Sequence, residues 1–244
     1  MRIAAISDVH GNLAALDAAL ADIAIQGVDL TVNLGDLVSG PLEPAATADR
    51  LMPLGLATIR GNHERQLLAL PVERMGASDR YAHGQLTDRH RAWLDGLPPT
   101  IWVAGDVFLC HGTPDSDVTY FLETVAEEGA RPATPEEVAT RAGGCTAAAI
   151  LCGHTHMPRT HRLSGGQLIV NPGSVGLPAF EDNHPHPHRM EAGSPHARYA
   201  ILDRGLTGWT AELRAVEYDW EVSARLAAAH GRPDWATALR TGRM

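Results

Sequence analysis

The sequence contains no lysine, only three cysteines and no long apolar run, and each shortage excludes a class of protein. All 20 basic residues are arginine and 29 residues are acidic, which gives a formal net charge of −9. Because tracking along a duplex needs clustered basic side chains, we expect no duplex nucleic acid as partner. The cysteines are odd in number and none has CxxC spacing, so we predict buried thiols rather than a disulfide framework or cysteine-rich zinc site.

The hydrophobic pattern predicts a single domain, 1–244, without a membrane segment. The first apolar run ends at Asp8, which is too short for a secretory signal, and no later run approaches the ~20 residues of a membrane span. We therefore expect a cytoplasmic protein and no membrane partner. The 44% hydrophobic content of 244 residues is enough to bury one sizeable core. Whether the chain forms a homo-oligomer stays open.

A repeated strand, loop and helix pattern indicates an α/β core. An apolar run over 2–6 is followed by Asn12, which caps a helix with 3.6-residue apolar spacing that stops at Gly27. Further short apolar runs end in polar clusters, at 30–34, 57–59, 107–110 and 148–152. After His156 we predict shorter strands at 159–163, 168–170, 198–202 and 209–213, and interpret them as a second, largely antiparallel sheet.

Two segments interrupt this pattern. We interpret the less regular stretch 112–144 as a lid, with a capping box that begins at Thr134 and has proline at the first helical position. The segment 178–195 holds a His/Pro-rich tract over 184–188. Its prolines favour an exposed loop over a metal site.

Histidine is abundant, with 13 residues, and several of them follow the predicted strands. Since open α/β sheets bind ligands at the carboxyl ends of their strands, we expect these side chains to meet. The seven donors are Asp8, His10, Asp36, Asn62, His111, His154 and His156. Asp8 and His10 are two positions apart, as are His154 and His156. On an extended backbone, side chains at this spacing point to the same side, so we expect each pair to reach one point.

The donor set predicts a transition-metal site. Carboxylate, amide and imidazole groups without thiolate suit Mn, Fe or Zn better than Ca or Mg. Seven donors exceed the needs of one ion that also binds water, but they suit two ions that share a carboxylate. Asp36 is the candidate for that bridge.

Five short motifs resemble those of the calcineurin-like metallophosphoesterases. They read SDVHGN at 7–12, GD at 35–36, GNHE at 61–64, HG at 111–112 and GHTH at 153–156. A further segment, NPGSVG at 171–176, is similar to the small bacterial and archaeal phosphodiesterase branch. The resemblance implies a four-layer αββα sandwich of two mixed sheets flanked by helices, with the metal site at the strand carboxyl ends.

The resemblance also implies a binuclear centre and a catalytic histidine. One ion would bind Asp8, His10, Asp36 and His156, and the other Asp36, Asn62, His111 and His154. Two such ions hold a bridging hydroxide that attacks phosphorus, with Mn favoured for activity. His63 corresponds to the histidine that contacts the phosphoryl oxygen and protonates the leaving alkoxide.

One departure from the family pattern bears on the substrate. The protein phosphatases and symmetrical dinucleoside polyphosphate hydrolases of the family continue from Gly-Asp with Asp-Arg-Gly. Here Ser39 replaces the aspartate that would orient His63, and Gly40 replaces the arginine that would clamp phosphate. A monoester dianion gains more from that arginine than a diester does, so we predict a phosphodiesterase for small phosphodiesters or nucleotides.

Two alternatives remain. A phosphomonoesterase or serine/threonine protein phosphatase would use the same centre, and Ser39 and Gly40 weigh against it. A non-catalytic scaffold would have lost ligands, whereas all seven are present. Asn12 caps a helix and is also a candidate contact for substrate phosphate. Glu64 is interpreted as a first-turn acid favoured by the helix dipole.

Overall fold

A computed structural model describes all residues 1–244 as two β-sheets with helices on their outer faces. The helices are α1 Leu13–Ala24, α2 Pro44–Leu51, α3 Asn62–Ala69, α4 Ala77–Gln85, α5 Asp88–Asp95, α6 Pro135–Ala142, α7 Trp220–Ala229 and α8 Pro233–Thr241. The strands are β1 Arg2–Ile6, β2 Leu30–Asn33, β3 Ala57–Thr58, β4 Ile101–Val103, β5 Val107–Leu109, β6 Glu123–Ala126, β7 Gly129–Pro132, β8 Ala149–Leu151, β9 Arg159–Arg162, β10 Leu168–Asn171, β11 Ala179–Asp182, β12 His188–Glu191, β13 Ala197–Gly205 and β14 Gly208–Val216. None of the helices has the length and apolar character needed to cross a membrane.

Both five-stranded sheets are mixed, which confirms the fold predicted from the motifs. The first has the order β14-β13-β1-β2-β3, with β1 to β3 parallel and β13 antiparallel to β1. The second has the order β4-β5-β8-β10-β9, with β5, β8 and β10 parallel. The chain passes through α1 between β1 and β2, through α2 between β2 and β3, and through α6 between β5 and β8, whereas β9 lies between β8 and β10.

The prediction that all the late strands form a second, antiparallel sheet was wrong. Strands β9 and β10 do join the second sheet, but β13 and β14 extend the first sheet beyond β1. The first part of β13 is buried on both faces, because Tyr199 and Ile201 face the helices while Ala200 and Leu202 face the other sheet. Apolar spacing cannot tell which sheet such a strand joins.

Successive residues of one strand belong to different layers of the core. Ile3 and Ala5 of β1 pack against the second sheet, and Ala4 and Ile6 pack under the helices. On the far side, α6 covers the second sheet. Because both faces of each sheet are buried, the parallel strands are held in position. Their carboxyl ends lie at the same edge of the sheets.

The two irregular segments are more structured than their sequences suggest. In 112–144, β6 and β7 form a hairpin, and α6 begins with the expected capping box, in which Thr134 and Glu137 exchange hydrogen bonds. Because α6 buries Val138 and Ala142 in the outer core, this part is a structural layer. In 178–195, β11 and β12 form a second hairpin instead of a loop; most of its tip at 183–187 and some of its strand side chains are exposed, while Ala179, His188 and Met190 are buried.

Candidate metal centre

The ligand candidates lie on tight turns at the strand ends, not on extended backbone. Five of them have positive φ: Asp8 at 54°, His10 at 51°, Asp36 at 54°, His154 at 67° and His156 at 59°. Non-glycine residues in this left-handed region are uncommon and cost about 1–3 kcal/mol each. Such strain concentrates at functional sites, where the surrounding structure enforces it. The surrounding structure therefore holds these residues in a backbone conformation that they rarely adopt otherwise.

The candidate ligands form two groups. Asp8, His10 and His156 form one, and Asp36, His111 and His154 form the other, with ligand atoms within 4.8 Å of one another in each. The expectation that 154 and 156 reach one point was wrong, because the left-handed turn sends their side chains to different groups. This division agrees with the one that the family resemblance implies.

Backbone carbonyls fix the orientation of three imidazole rings. The Nδ1–H groups of His10, His111 and His156 donate to the carbonyl oxygens of Ser39, Leu34 and Leu177, each at 2.7 Å. The Nε2 atoms therefore point into the site, an arrangement typical of metal-binding histidines.

Two of these nitrogen atoms face each other without a proton to share. Nε2 of His10 lies 3.0 Å from Nε2 of His156, although both rings carry their proton on Nδ1. Burial lowers the pKa of His10 to about 3, so this ring is neutral. Two facing lone pairs repel each other unless a cation lies near both. The first group thus fits a metal ion.

Asn62, which the family resemblance assigns to the second ion, carries a buried polar atom without a partner. Oδ1 of Asn62 is buried and accepts no hydrogen bond. Nε2 of His111 lies 3.0 Å from Oδ2 of Asp36. Burial would lower the pKa of His111, but the Asp36 carboxylate raises it to about 10. A metal ion that binds His111 would therefore displace a proton from this ring. An amide oxygen, a carboxylate and imidazoles are the donor set expected for a divalent transition metal.

His63 lies beside both groups and is oriented by a carboxylate from a neighbouring helix. Nδ1 of His63 is 2.7 Å from Oδ1 of Asp79, which also accepts a 2.6 Å hydrogen bond from Oγ of Ser39. Burial would lower the pKa of His63, but the charge of Asp36 and the hydrogen bond with Asp79 raise it to about 9. The inference that replacement by Ser39 leaves His63 without an orienting aspartate was wrong. Ser39 instead holds that aspartate, which arrives from α4.

Glu64 has a more specific task than complementing a helix dipole. Its buried carboxylate accepts three backbone N–H groups, from Asp36 and Leu37 at 2.8 Å and from Gly61 at 2.9 Å. Burial raises its pKa, and these donors counter that cost. Glu64 therefore ties the turn after β2 to the start of α3, and so fixes Asp36 relative to Asn62.

Asn12 is fully occupied by structural contacts. Its Oδ1 accepts from the backbone N–H of Ala15 at 3.2 Å and from the Ser223 hydroxyl at 2.9 Å. Its Nδ2 donates to the carbonyl of Gly176 and to the hydroxyl of Tyr218. The side chain is buried, so these contacts favour its role as helix cap over contact with a substrate.

The C-terminal helix α8 and the residue before it supply one wall of the cavity in front of the predicted ligands. This cavity has a volume of about 610 Å³ and includes Arg232 and Trp235. A Cβ at Gly40 would lie 2.8 Å from the Trp235 ring, so glycine is needed there for close packing. Arg232 stacks on Trp235 and pairs with Asp234. Sequence reasoning missed this wall, because it lies far beyond the motifs and carries no recognisable pattern.

Comparisons with known proteins agree with this geometry. Residues 1–190 match the model of the calcineurin-like phosphoesterase superfamily domain, so the chain belongs to this superfamily of metal-dependent hydrolases of phosphate esters. A metallophosphoesterase from Sphaerobacter thermophilus has a similar structure, with a TM-score of 0.75, 27% identity and coverage of 99% of this chain and 100% of the other.

Two archaeal proteins are also similar over nearly the whole chain. The Methanocaldococcus jannaschii protein MJ0912 is 25% identical over 96% of this chain and 94% of its own length. The Pyrococcus horikoshii protein PH1004 shares the fold, with a TM-score of 0.76 at 18% identity over 99% of this chain and 98% of its own. The likeness thus includes the C-terminal helices, which the family model does not cover.

Proposed function

We propose that the protein is a two-metal phosphodiesterase that hydrolyses small phosphodiesters, including nucleotides. The observation that carries this proposal is the pair of ligand groups, in which imidazole nitrogens face each other and an amide oxygen lacks a partner. A pair of divalent ions accounts for all of these buried atoms. The acidic balance of the chain favours a small ester over a nucleic-acid duplex.

Each ion would take four protein ligands. Asp8, His10, Asp36 and His156 would hold one, and Asp36, Asn62, His111 and His154 the other. Mn is favoured for activity, and Fe and Zn also suit these donors. When bound, the two ions would supply the activated water and stabilise charge on the phosphoryl group.

His63 would act as the proton donor to the leaving oxygen. Its Nε2 lies 4.0 Å from Oδ2 of Asp36, so the ring edge faces the ligand groups while Nδ1 is held by Asp79. With its pKa raised to about 9, the ring carries a proton near neutral pH. Its side chain is 29% exposed, which leaves room for substrate to reach it. A protonated imidazole in this position can hydrogen-bond a phosphoryl oxygen and then protonate the departing alkoxide.

The charge in the cavity supports a diester over a monoester. No arginine stands at position 40, and the guanidinium of Arg232 already pairs with Asp234 at 2.6 Å. Glu181 and Asp182 also line the cavity. Apart from His63, whose proton serves the leaving oxygen, a monoester dianion therefore meets no free cationic side chain, whereas a diester monoanion needs less compensation. A phosphomonoesterase or serine/threonine protein phosphatase is the alternative that the experiment below tests.

Metal content and hydrolysis together test the proposal. We expect protein purified without chelator to contain about two transition-metal ions per chain. After reconstitution with Mn, kcat/KM should be higher for bis-p-nitrophenyl phosphate than for p-nitrophenyl phosphate. The variant His63→Asn should retain metal but lose most hydrolysis of diesters with alkyl leaving groups, while His161→Asn, on the edge strand β9, serves as control. Less than one ion per chain, with no diester hydrolysis after reconstitution, would refute the proposal.

A further inference from the structure

Two cavities of similar size meet at the ligand groups. The cavity described above, here called the His63 cavity, has a volume of about 610 Å³, and a second, here called the Tyr120 cavity, about 620 Å³. Both lie in the range of small-molecule sites. Four residues line both cavities: Asn62, Gln66, His154 and Asp182. The junction of the two cavities therefore includes predicted ligands of the second ion.

Only one of the cavities contains the proton donor. His63 lines the first cavity and is absent from the lining of the second. A leaving oxygen that takes its proton from His63 must therefore depart into the His63 cavity. The Tyr120 cavity can hold only a group that stays attached to phosphorus.

The walls of the Tyr120 cavity suit an uncharged group. Val118, Thr119, Val125 and Pro185 form part of its lining, and the carboxylate residues Glu123 and Asp182, which also line it, disfavour an anion. The guanidinium of Arg141 also lies there, but it donates to the carbonyls of Phe121 and Glu123 and to the Thr124 hydroxyl. With the cation engaged in this way, the cavity offers little attraction to a second anionic group.

Tyr120 gives this cavity a fixed aromatic wall. Nδ1–H of His188 donates to the carbonyl of His186 at 2.8 Å, so Nε2 of His188 accepts from the Tyr120 hydroxyl at 2.9 Å. The ring also packs edge to face against His154, with centroids 5.1 Å apart. His188, the inward end of the His/Pro tract, thus holds Tyr120 beside the metal ligands. A fixed aromatic ring is a stacking surface for planar groups.

We propose that the substrate is a phosphodiester whose leaving group occupies the His63 cavity and whose retained ester group, an uncharged planar group of the nucleoside type, occupies the Tyr120 cavity. The assignment rests on the proposed function and adds the substrate class to it. Hydrolysis breaks the P–O bond to the leaving group and joins the oxygen of water to phosphorus. The leaving oxygen takes a proton from His63, the attacking water gives up a proton to solvent, and His63 regains one from solvent, while the nucleoside stays on the phosphate product. A phosphomonoester would leave the Tyr120 cavity unused.

Two diesters that share a leaving group test which group binds in the Tyr120 cavity. Thymidine 5′-(p-nitrophenyl phosphate) and methyl p-nitrophenyl phosphate both release p-nitrophenolate from a monoanionic diester, and they differ only in the retained group. With the Mn-loaded full chain, we expect kcat/KM to be about tenfold higher for the thymidine ester, the gain of one base stacked on an aromatic ring. The ratio of the two values within one protein cancels any difference in metal loading.

Two variants should abolish this preference, and a third should not. Val118→Trp narrows the cavity and Tyr120→Ala removes its aromatic wall, so both should bring the ratio close to one. Val222→Trp on α7 is the matched control, because Val118 and Val222 are 49% and 55% exposed and only the former lines the cavity. The control should keep the wild-type ratio.

A binding measurement without metal gives a second readout. In saturation-transfer NMR on the metal-free protein, the thymine protons of thymidine 5′-phosphate should receive saturation, and Val118→Trp should reduce the transfer severalfold. A wild-type ratio near one, or a ratio that both cavity variants retain, would overturn the assignment while the phosphodiesterase proposal stands. Absence of hydrolysis of both esters would contradict the proposed function, and the assignment would fall with it.

Discussion

His63 is held in place by a carboxylate that reaches it from a neighbouring helix. Asp79 is buried, lies 16 positions further along the chain and contacts both the ring and Ser39. Its hydrogen bond fixes which nitrogen of the ring faces the site. Asp79 is therefore a positioning residue, and its removal should impair proton transfer more than metal binding.

The role of Asp79 can be tested by comparing esters that have different leaving groups. We expect Asp79→Asn to lower kcat by about tenfold to a hundredfold for esters with alkyl leaving groups, within the usual contribution of general acid catalysis. For p-nitrophenyl esters the loss should be smaller, since p-nitrophenolate departs without a proton. Steady-state kinetics across a series of leaving groups checks this. An equal loss across the series would contradict the positioning role.

Glu64 should matter for both stability and metal affinity. A glutamine at this position keeps one acceptor oxygen but turns an NH2 group toward backbone N–H donors. We expect Glu64→Gln to lower the free energy of unfolding by about 1–3 kcal/mol, the cost of buried groups left unpaired. It should also weaken metal binding through the displaced Asp36. Urea denaturation and metal titration measure the two effects, with Glu73→Gln, on an exposed turn, as control.

The ligands and their positioning residues differ in how far the sequence predicts them. The seven predicted ligands follow apolar strands inside contiguous motifs, so their residue types and positions made them candidates. Asp79 lies on α4 and Arg232 directly before α8, in sequences that look like ordinary solvent-facing surface. Only tertiary packing brings them to the site, and a single sequence does not encode that packing in a local pattern.

At the scale of elements, the strand ends fit together with almost no spare space. A Cβ on Gly153, which follows β8, would collide with Oγ of Ser7 and lie 2.9 Å from Oδ2 of Asp8 after β1. The two sheets therefore touch through a glycine at the point where the ligands begin. This contact fixes the distance between the two halves of the site.

The variant Gly153→Ala tests this contact. We expect it to lower the free energy of unfolding by about 1–3 kcal/mol through overpacking and to reduce metal occupancy by displacing Asp8. Gly144→Ala is the control, because a Cβ there meets nothing within 4 Å. Differential scanning calorimetry and metal analysis compare the two. Equal effects from both substitutions would show that steric contact at 153 is not the cause.

The elements themselves were predicted more accurately than their assembly. Apolar spacing and capping residues located α1 and α6, and turn signals located the hairpin of β13 and β14. Sheet membership was missed, because a strand buried on both faces has the same apolar pattern in either sheet. The left-handed turns were missed as well, because aspartate and histidine carry no signal for positive φ as plain as that of glycine.

At the scale of the whole molecule, metal binding and stability should be coupled. The ligand groups bury two carboxylates at the junction of the sheets, within a chain of net charge −9. Ions that bind only the folded state stabilise it by mass action, by about 4 kcal/mol at a thousand times Kd. Removal of metal by a chelator should therefore lower Tm by roughly 10 °C, since each kcal/mol shifts Tm by about 2–4 °C at this size.

Calorimetry with and without chelator measures this shift. Addition of Mn should restore the original Tm in the wild-type protein. The variant Asp8→Asn, which lacks a predicted ligand, should respond much less to both treatments. A Tm that does not change on removal of metal from a fully loaded protein would contradict the coupling between the ions and the fold.

The cavity wall formed by α8 has a consequence for how such proteins diversify. Strand ends within residues 1–156 carry every predicted metal ligand, whereas Arg232 and Trp235 belong to a separate stretch of chain that packs on afterwards. Mutations in that stretch can reshape the space for the departing group without disturbing the hydrolytic centre. Exchange of α8 and the residue before it between relatives of the same fold would thus be a direct way to alter substrate selectivity while the predicted ligands stay the same.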